Sequence, residues 1–542
     1  GGIVISEKPM TWYSALFLPP KGFSTTQFSM LEAEDVGLFK FDILSQRGLG
    51  KIHDTLEVIA YNQPDQPPHD IHDIQFFKQD KRIEKLLVEA KALGCFYVES
   101  PAMRMLMIKL QVKTYLELVA ASSIIRPGVS QSGMMREYIL RHRYPARRDE
   151  ANAILLSIMP ETYGVMVYQE DVIKVAHLFA GLSLAEADVL RRGMSGKFRS
   201  REEFQGVRDT FFKNCLKKGH ALELTADIWR QIESFAGYAF SKGHSASYAV
   251  ESYQSLYLKA YYPLEYMTAT INNFGGYYRT EIYVHEARRF GAKIEAPSLN
   301  VGSYACVLRG NTLVLGFNLV ARIEEQLVHQ VVEERNRRGV FRNFEDLMRR
   351  IAIPLEQLSL MIRIGALRDF PESRKELLWK AHFYHHSMGK KPTLPELFAV
   401  PEKQFMLPTL DEQAHEHAFE QMELLGFPLC NPFELLAYTP PEHTFASEMP
   451  IKFSMVVEMY GYLVAVKTSK TASGTVMNFG TLIDKNGDTI DTVHFPESVR
   501  KYPFLGKGVY FLRGRITEEF GFYCLEVGEM RKIPFKEDIR FE

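Results

Sequence analysis

The chain is 542 residues long, 46% hydrophobic and 24% charged, with 65 basic against 66 acidic residues. That length exceeds one hydrophobic core and sets an expectation of about three or four domains, while a net charge of -1 excludes a uniformly basic nucleic-acid binder but leaves room for local patches. The sequence lacks an apolar run of about 18 residues and so argues against a membrane-spanning helix, and its five scattered cysteines, with no C-x-x-C pair, fit a reducing cytoplasm.

The first fifty residues read as strands. Gly2 to Ser6, Thr26 to Met30 and Leu38 to Leu44 are short and rich in apolar or β-branched residues. Alternation in the last of these puts Phe39, Phe41 and Ile43 on one face and Lys40 beside Asp42 on the other, where a rigid strand can present a metal-ligating carboxylate. The opening Gly1-Gly2-Ile3-Val4-Ile5, with no initiator methionine, suggests part of a longer protein.

Tyr61 to Pro68 is a linker by its prolines. The adjacent His69, Asp70, His72 and Asp73 sit in a proline-flanked loop that offers no further metal ligand. From about Arg82 to Phe274 the pattern is helical, as in Lys174 to Phe179 and Ala185 to Met194, with turns at Arg126-Pro127-Gly128 and Tyr163-Gly164. Within it, Arg136, Arg141, Arg143, Arg147 and Arg148 make a basic patch against the single acid Glu137. Arg126 opens a small-residue turn, and Glu99 reads as a helix-start carboxylate rather than a metal ligand.

Arg191, Arg192 and Lys197 cluster with glycines at a predicted helix end. Arginine forks match phosphate oxygens and lysine adds a point charge, although a basic helix terminus complementing its dipole has the same pattern. Phe235 to Tyr248 joins Lys242, His244, Ser245 and further serines to four aromatics, groups that grip phosphates and stack on bases rather than fill a core.

Short strand-like pieces return between Ala296 and Phe317, followed by a charged helix from Ile323 to Arg338 that stops at Gly339. Smaller helices run from Phe344 to about Tyr384, and His382, His385 and His386 share a solvated face. Residues 387–416 read as a linker. Met455 to Val466, Thr475 to Leu482, Thr489 to His494, Val509 to Ile516 and Tyr523 to Val527 then alternate between turn signals, the pattern of a small OB-type barrel.

Six blocks in order, LFKFDILSQRGLG, GCFYVESPAMR, RPGVSQSGM, ETYGVMVYQEDV, DVLRRGMSGK and FAGYAFSKGHSASYA, resemble the bacterial DNA polymerase III alpha subunit, the C-family polymerase. The resemblance implies a multidomain α+β chain: the end of a polymerase-β-like palm at 1–50, mostly helical fingers at 51–295 and a helix-hairpin-helix, clamp-binding-type domain at 296–386. A linker and connecting helix at 387–445, an OB-type barrel at 446–535 and a tail at 536–542 complete it. It further implies DNA-templated nucleotidyl transfer with Mg²⁺. The palm's third metal-binding aspartate falls on Asp42, with Lys40 beside it, and the other two precede Gly1. Arg191, Arg192, Lys197, Lys242, His244 and Ser245 would hold the incoming deoxynucleotide, and Arg126 with the five-arginine patch would contact DNA.

The expected partners are primed template DNA, deoxynucleotides, other replisome subunits and a sliding clamp, the last through Leu394 to Phe398, which keeps a Leu-Phe anchor without the usual glutamine. Asn318 to Gln326 lacks the family's G-x-G hairpin, which weakens the expectation of duplex contact there, and the ending at Glu542 leans toward a short or error-prone member. The competing reading is a non-catalytic DNA-binding scaffold, since one carboxylate cannot hold two metals, so the fragment is expected to be inactive alone.

Overall fold

The computed structural model describes residues 2–19, 22–28, 30–41, 47–125, 133–194, 201–234, 241–388, 415–471, 473–538 and 540. Contacts divide the chain into two compact units, 1–50 and 51–542. In the first, Ile3–Ile5 pairs antiparallel with Phe39–Phe41, placing Val4 opposite Lys40. Phe39 and Phe41 share a face, as the alternation requires, yet stand 65% and 52% exposed. The predicted strand from Thr26 to Met30 is corrected: only Thr25–Thr26 pairs, with Leu16–Phe17, and the helix Met30–Asp35 takes over, in keeping with the helix-forming Leu-Glu-Ala-Glu run.

In the second unit, residues 51–290 are helical because local signals fix the helix ends and apolar periodicity fixes their faces. Thr114 accepts the Glu117 N–H at 3.3 Å while the Glu117 carboxylate takes the Thr114 N–H at 2.9 Å, a capping box that starts Tyr115–Ile124. Ser100 caps Pro101–Leu110, with proline at the position where no N–H is needed. Leu106, Val119, Phe179, Tyr253 and Tyr266 share the resulting core.

Two readings of this region change. The helix expected from Lys174 to Phe179 is the end of Gln169–Lys174 followed by a π-helical turn, Val175–Phe179, before Leu184–Met194. The proline-rich segment after Tyr61 is packed rather than free, since the Gln66 carbonyl accepts the Tyr262 hydroxyl at 3.2 Å. His69 pairs with Asp73 at 3.0 Å, and Asp73 caps Ile74–Phe77.

Lys293–Glu295 runs parallel to Thr312–Val314, which pairs antiparallel with Val307–Arg309 on its other side. The helices Glu325–Arg338, Phe344–Arg350, Leu355–Arg363 and Arg374–Met388 follow, joined by a second core containing Val328, Leu347, Met361 and Leu377. Where a glycine hairpin is lacking, Arg322 itself takes the left-handed conformation at φ 63°. Its carbonyl accepts the Gln357 amide at 3.1 Å. Leu394 to Phe398 lies outside the described residues.

The terminal strands close into a five-stranded barrel. Val456–Lys470, Val476–Ile483 and Thr489–His494 form an antiparallel meander, Val509–Glu519 and Phe522–Lys532 a hairpin, and the barrel shuts where Thr492 lies parallel to Leu525. Its outer wall docks on the helices. Arg104 meets Asp491 at 2.5 Å, their side chains only 17% and 13% exposed, Lys109 reaches Glu519, and Arg289 holds Asp488 at 2.9 Å. Val464 enters the helical core, and Ile483 and Phe520 pack against it.

Candidate functional site

The phosphate-gripping run expected between Phe235 and Tyr248 becomes, from Lys242 onward, the opening of a 20-residue helix, Lys242–Tyr261. Ser241 caps it by accepting the His244 N–H at 3.2 Å. The later turns are buried, so hydroxyls and apolar groups alternate around the helix rather than forming a polar loop. Ser245 is fully buried and shares a 2.6 Å hydrogen bond with Ser123. Its predicted place on a ligand surface is therefore corrected: it anchors the helix, because a hydroxyl sealed against another hydroxyl meets no solute.

Lys242 and His244 are partly exposed. The Lys242 ammonium pairs with Glu161, and it lies 5.6 Å from the centre of the Tyr168 ring. Its backbone N–H donates to both oxygens of Glu170, at 3.0 and 2.9 Å. The Lys242 hydrogen bond holds the Glu161 carboxyl below its ordinary range. Glu170 is steadied from below: the neighbouring Asp171 carboxylate accepts the Val167 and Tyr168 N–H groups at 2.9 Å, although burial pushes the Asp171 carboxyl up.

One turn along, His244 packs on Tyr248 with ring centres 4.1 Å apart, and Tyr248 meets Phe96 and Tyr97 edge-on. Tyr97 adopts φ 65°, and its hydroxyl donates to the Ser122 carbonyl at 2.9 Å. Glu251 continues the same stripe at i+7 from His244. Burial pushes its carboxyl up to about 7, and its Oε1 finds no hydrogen-bond partner among the described residues. Sequence reasoning missed Glu161, Glu170 and Glu251, though the first two lie inside a block that it singled out and the third is legible from helical spacing.

The structure divides the arginine patch. Arg148 lies over the Tyr163 ring and donates to the Arg141 carbonyl at 2.8 Å, Arg141 donates to the Tyr163 carbonyl at 2.8 Å, and Arg147 pairs with Glu150 at 2.6 Å. Arg141 and Arg148 hold the turn around Tyr163, while Arg147 makes an exposed pair with Glu150. The expectation of five arginines on one DNA face is narrowed accordingly. Arg136 and Arg143, on Met134–Arg143, have no carboxylate within 4.0 Å among the described residues. Arg143 borders a recess of about 410 Å³ with Lys113 and His142. Arg191 is 2.8 Å from Asp188, while Arg126, Lys197 and the side chain of Arg192 lie outside the described residues.

Lys40 is exposed on its strand, and Asp42 lies outside the described residues. Among the described residues the set able to converge on a cation is His53, Asp54 and Glu57 on one helix, with Asp54 half-buried between two exposed neighbours. It does not fit a Mg²⁺ centre, which asks for oxygen ligands in octahedral array, and the Asp54 carboxylate already takes the Asn273 amide at 2.7 Å. Glu99 is saturated by the Gly94 and Tyr277 N–H groups and the Tyr283 hydroxyl, at 2.8, 2.7 and 2.9 Å, which makes it a structural hub between segments.

Residues 48–219 match the family described as the bacterial DNA polymerase III alpha subunit finger domain, and residues 291–377 match a helix-hairpin-helix motif. The DNA polymerase III subunit alpha of Aquifex aeolicus is 29% identical over 501 residues, covering 91% of this chain and 42% of that protein. The chain belongs to the bacterial DNA polymerase III alpha-subunit family. The Vibrio cholerae subunit is 30% identical over 533 residues, 93% of this chain and 45% of its own length, and the Escherichia coli subunit is 34% identical over 361 residues, 65% of this chain and 31% of its own. The chain thus spans less than half the length of these alpha subunits. The finger-domain match takes in Glu161, Glu170 and the arginine patch, and ends before the Lys242 helix. No described helix is long and apolar enough to cross a membrane.

Proposed function

We propose that this chain is the fingers-to-barrel portion of a DNA-directed DNA polymerase, whose reaction is attack of a primer 3′-hydroxyl on the α-phosphate of a template-matched deoxynucleotide. The observation that carries the reading is family membership together with a partly exposed Lys242–His244 surface at the start of a long, largely buried helix. That helix offers what a nucleotide needs: a cation for phosphate, an imidazole and Tyr248 for a base to lie against, and a rigid support behind them. Arg191 is assigned to the same triphosphate, with Arg192 and Lys197 following it in the chain.

Arg136, Arg143 and Arg126 are assigned to DNA phosphates. The exposed ribbon of the barrel, where Lys467 stands opposite Phe479, suits a single strand through backbone charge and base stacking. Asp42, with Lys40 beside it, is assigned to the palm's Mg²⁺ site, the metal neutralising charge in phosphoryl transfer when bound. The domain limits given by the resemblance are retained. Soluble replisome proteins in the cytoplasm, and a sliding clamp reached through Leu394 to Phe398, are the proposed partners.

The deciding experiment is primer extension by the complete polymerase, wild type against Asp42→Asn, with DNA binding followed in parallel. Loss of incorporation with DNA binding intact supports the reading. Near-normal extension removes Asp42 from the metal site and moves a non-catalytic DNA-binding scaffold ahead.

A further inference from the structure

The barrel shuts over a short length. Thr489–His494 pairs with Phe522–Lys532 only at Thr492 with Leu525 and Val493 with Glu526, after which the chain turns into the helix Pro496–Lys501 while Phe522–Lys532 runs on. Beyond Glu526 that strand keeps Val509–Glu519 on one side, but among the described residues no strand pairs with its other edge. Alternate backbone N–H and C=O groups of residues 527–530 therefore point to a cleft of about 610 Å³, which Phe495, Ser498 and Tyr502 also line. Two features leave this edge incomplete. Arg513 faces Glu529 and Gly514 faces Val527, so Gly528 bulges without a counterpart, and a Cβ built on it would meet only the Arg513 carbonyl oxygen, at 3.8 Å. The packing of the chain itself does not call for glycine there, whereas a second backbone approaching the edge would. The buried Ser498 hydroxyl, in turn, has no hydrogen-bond partner among the described residues.

We propose that the edge at residues 527–530 is a docking site for an extended peptide segment of a partner protein, added as a further strand in the place that Thr489–His494 vacates. The rim suits apolar side chains at alternate positions of that segment: Val456 and Phe495 line the cleft while 57% and 46% exposed, and Phe453 and Met455, just before Val456, are more than half exposed. Charge selects a peptide over a nucleic acid. Glu497, Glu526 and Glu529 balance Lys501, Arg513 and Arg515 around the cleft, so a phosphate backbone, with one negative charge per nucleotide, would meet carboxylates and gain no net attraction. A polypeptide needs no net charge; its main chain supplies the donors and acceptors that the strand edge and Ser498 lack, and the apolar rim sets which side chains fit.

The test selects phage-displayed linear peptides on the 542-residue chain and counter-selects them on Gly528→Val, which puts a β-branched side chain into the open space beside the edge. The selected peptide, made synthetically, is then titrated by calorimetry and followed by amide hydrogen exchange. Expected are apolar residues at alternate peptide positions, slowed exchange of the amides of residues 527–530, and binding weakened about tenfold or more by Gly528→Val and by Phe495→Asp, the worth of one or two backbone hydrogen bonds or of the apolar contact. Both variants are expected to melt as wild type does; should Gly528→Val melt earlier, Phe495→Asp on the exposed rim serves for both the counter-selection and the affinity comparison. The proposal is overturned if no peptide distinguishes wild type from the blocked variant, or if the protected amides lie elsewhere. It is equally overturned if an oligothymidylate, and not the peptide, protects residues 527–530, since the cleft would then belong to nucleic acid.

Discussion

Replacing Asp491 by asparagine tests whether the barrel is held to the helical body by a desolvated ion pair. Arg104 and Asp491 lie 387 positions apart and meet at 2.5 Å with 17% and 13% of their side chains exposed. Burial alone would lower the Arg104 pKa, yet the Asp491 carboxylate reverses that and raises it. Removing one partner of a buried pair costs roughly 3–5 kcal/mol, because the other charge is left without compensation. The residual exposure here, together with Tyr278 beside the guanidinium, points to the lower end, about 3 kcal/mol. Urea denaturation of wild type, Asp491→Asn, Arg104→Met and the double variant measures it. Each single variant is expected to lose about 3 kcal/mol and the double variant clearly less than either, since it buries no lone charge. Additive losses, or a loss below about 1 kcal/mol in either single variant, would refute the claim that this pair holds the dock.

Lys242→Ala in the complete polymerase is expected to weaken deoxynucleotide binding by about 1.5–3 kcal/mol, the usual worth of a hydrogen bond to a charged group, read as a rise in KM or Kd. Glu251 titrates at about 7 in the folded chain against an ordinary 4.5, so the folded state holds an extra proton between those values. Its contribution to stability is complete below about pH 4.5 and is lost as pH rises through 7; Glu251→Gln should flatten that slope in thermal melts across pH 4 to 8. His494 is 1% exposed, and burial depresses its imidazole to about 4. Its stabilising contribution is present above about pH 6.5 and lost as pH falls through 4, and its ring proton shifts in NMR should stay neutral-like down to that range. Gly276→Ala would drive a methyl into the Glu99 Oε1. Because three donors fix that carboxylate, the substitution is expected to cost at least about 1–3 kcal/mol of unfolding free energy.

Much of the local architecture is legible in the sequence. Alternation marks the barrel strands, Gly339 marks the end of the Glu325–Arg338 helix, and the Thr114–Glu117 pair marks a helix start, because each signal acts within a few residues of backbone. The same signals mislead where two neighbours compete. Thr26 to Met30 reads as strand until the Leu-Glu-Ala-Glu run that follows draws Met30 into a helix.

The candidate site divides along the same line. Sequence by itself determined the family and the residue types of the surface proposed to bind phosphate: Lys242 and His244 stand out as polar groups where a core helix has no use for them. Tertiary structure alone decided which of those groups face outward and what they meet. Ser245 is turned inward onto Ser123, Lys242 is neutralised by Glu161, and Arg141 and Arg148 are turned onto the Tyr163 turn. The reason is physical. Periodicity records that a side chain lies on a given face of its own element, but its charge state, exposure and partner depend on groups brought up from distant segments, as Asp491 is brought to Arg104 across 387 positions.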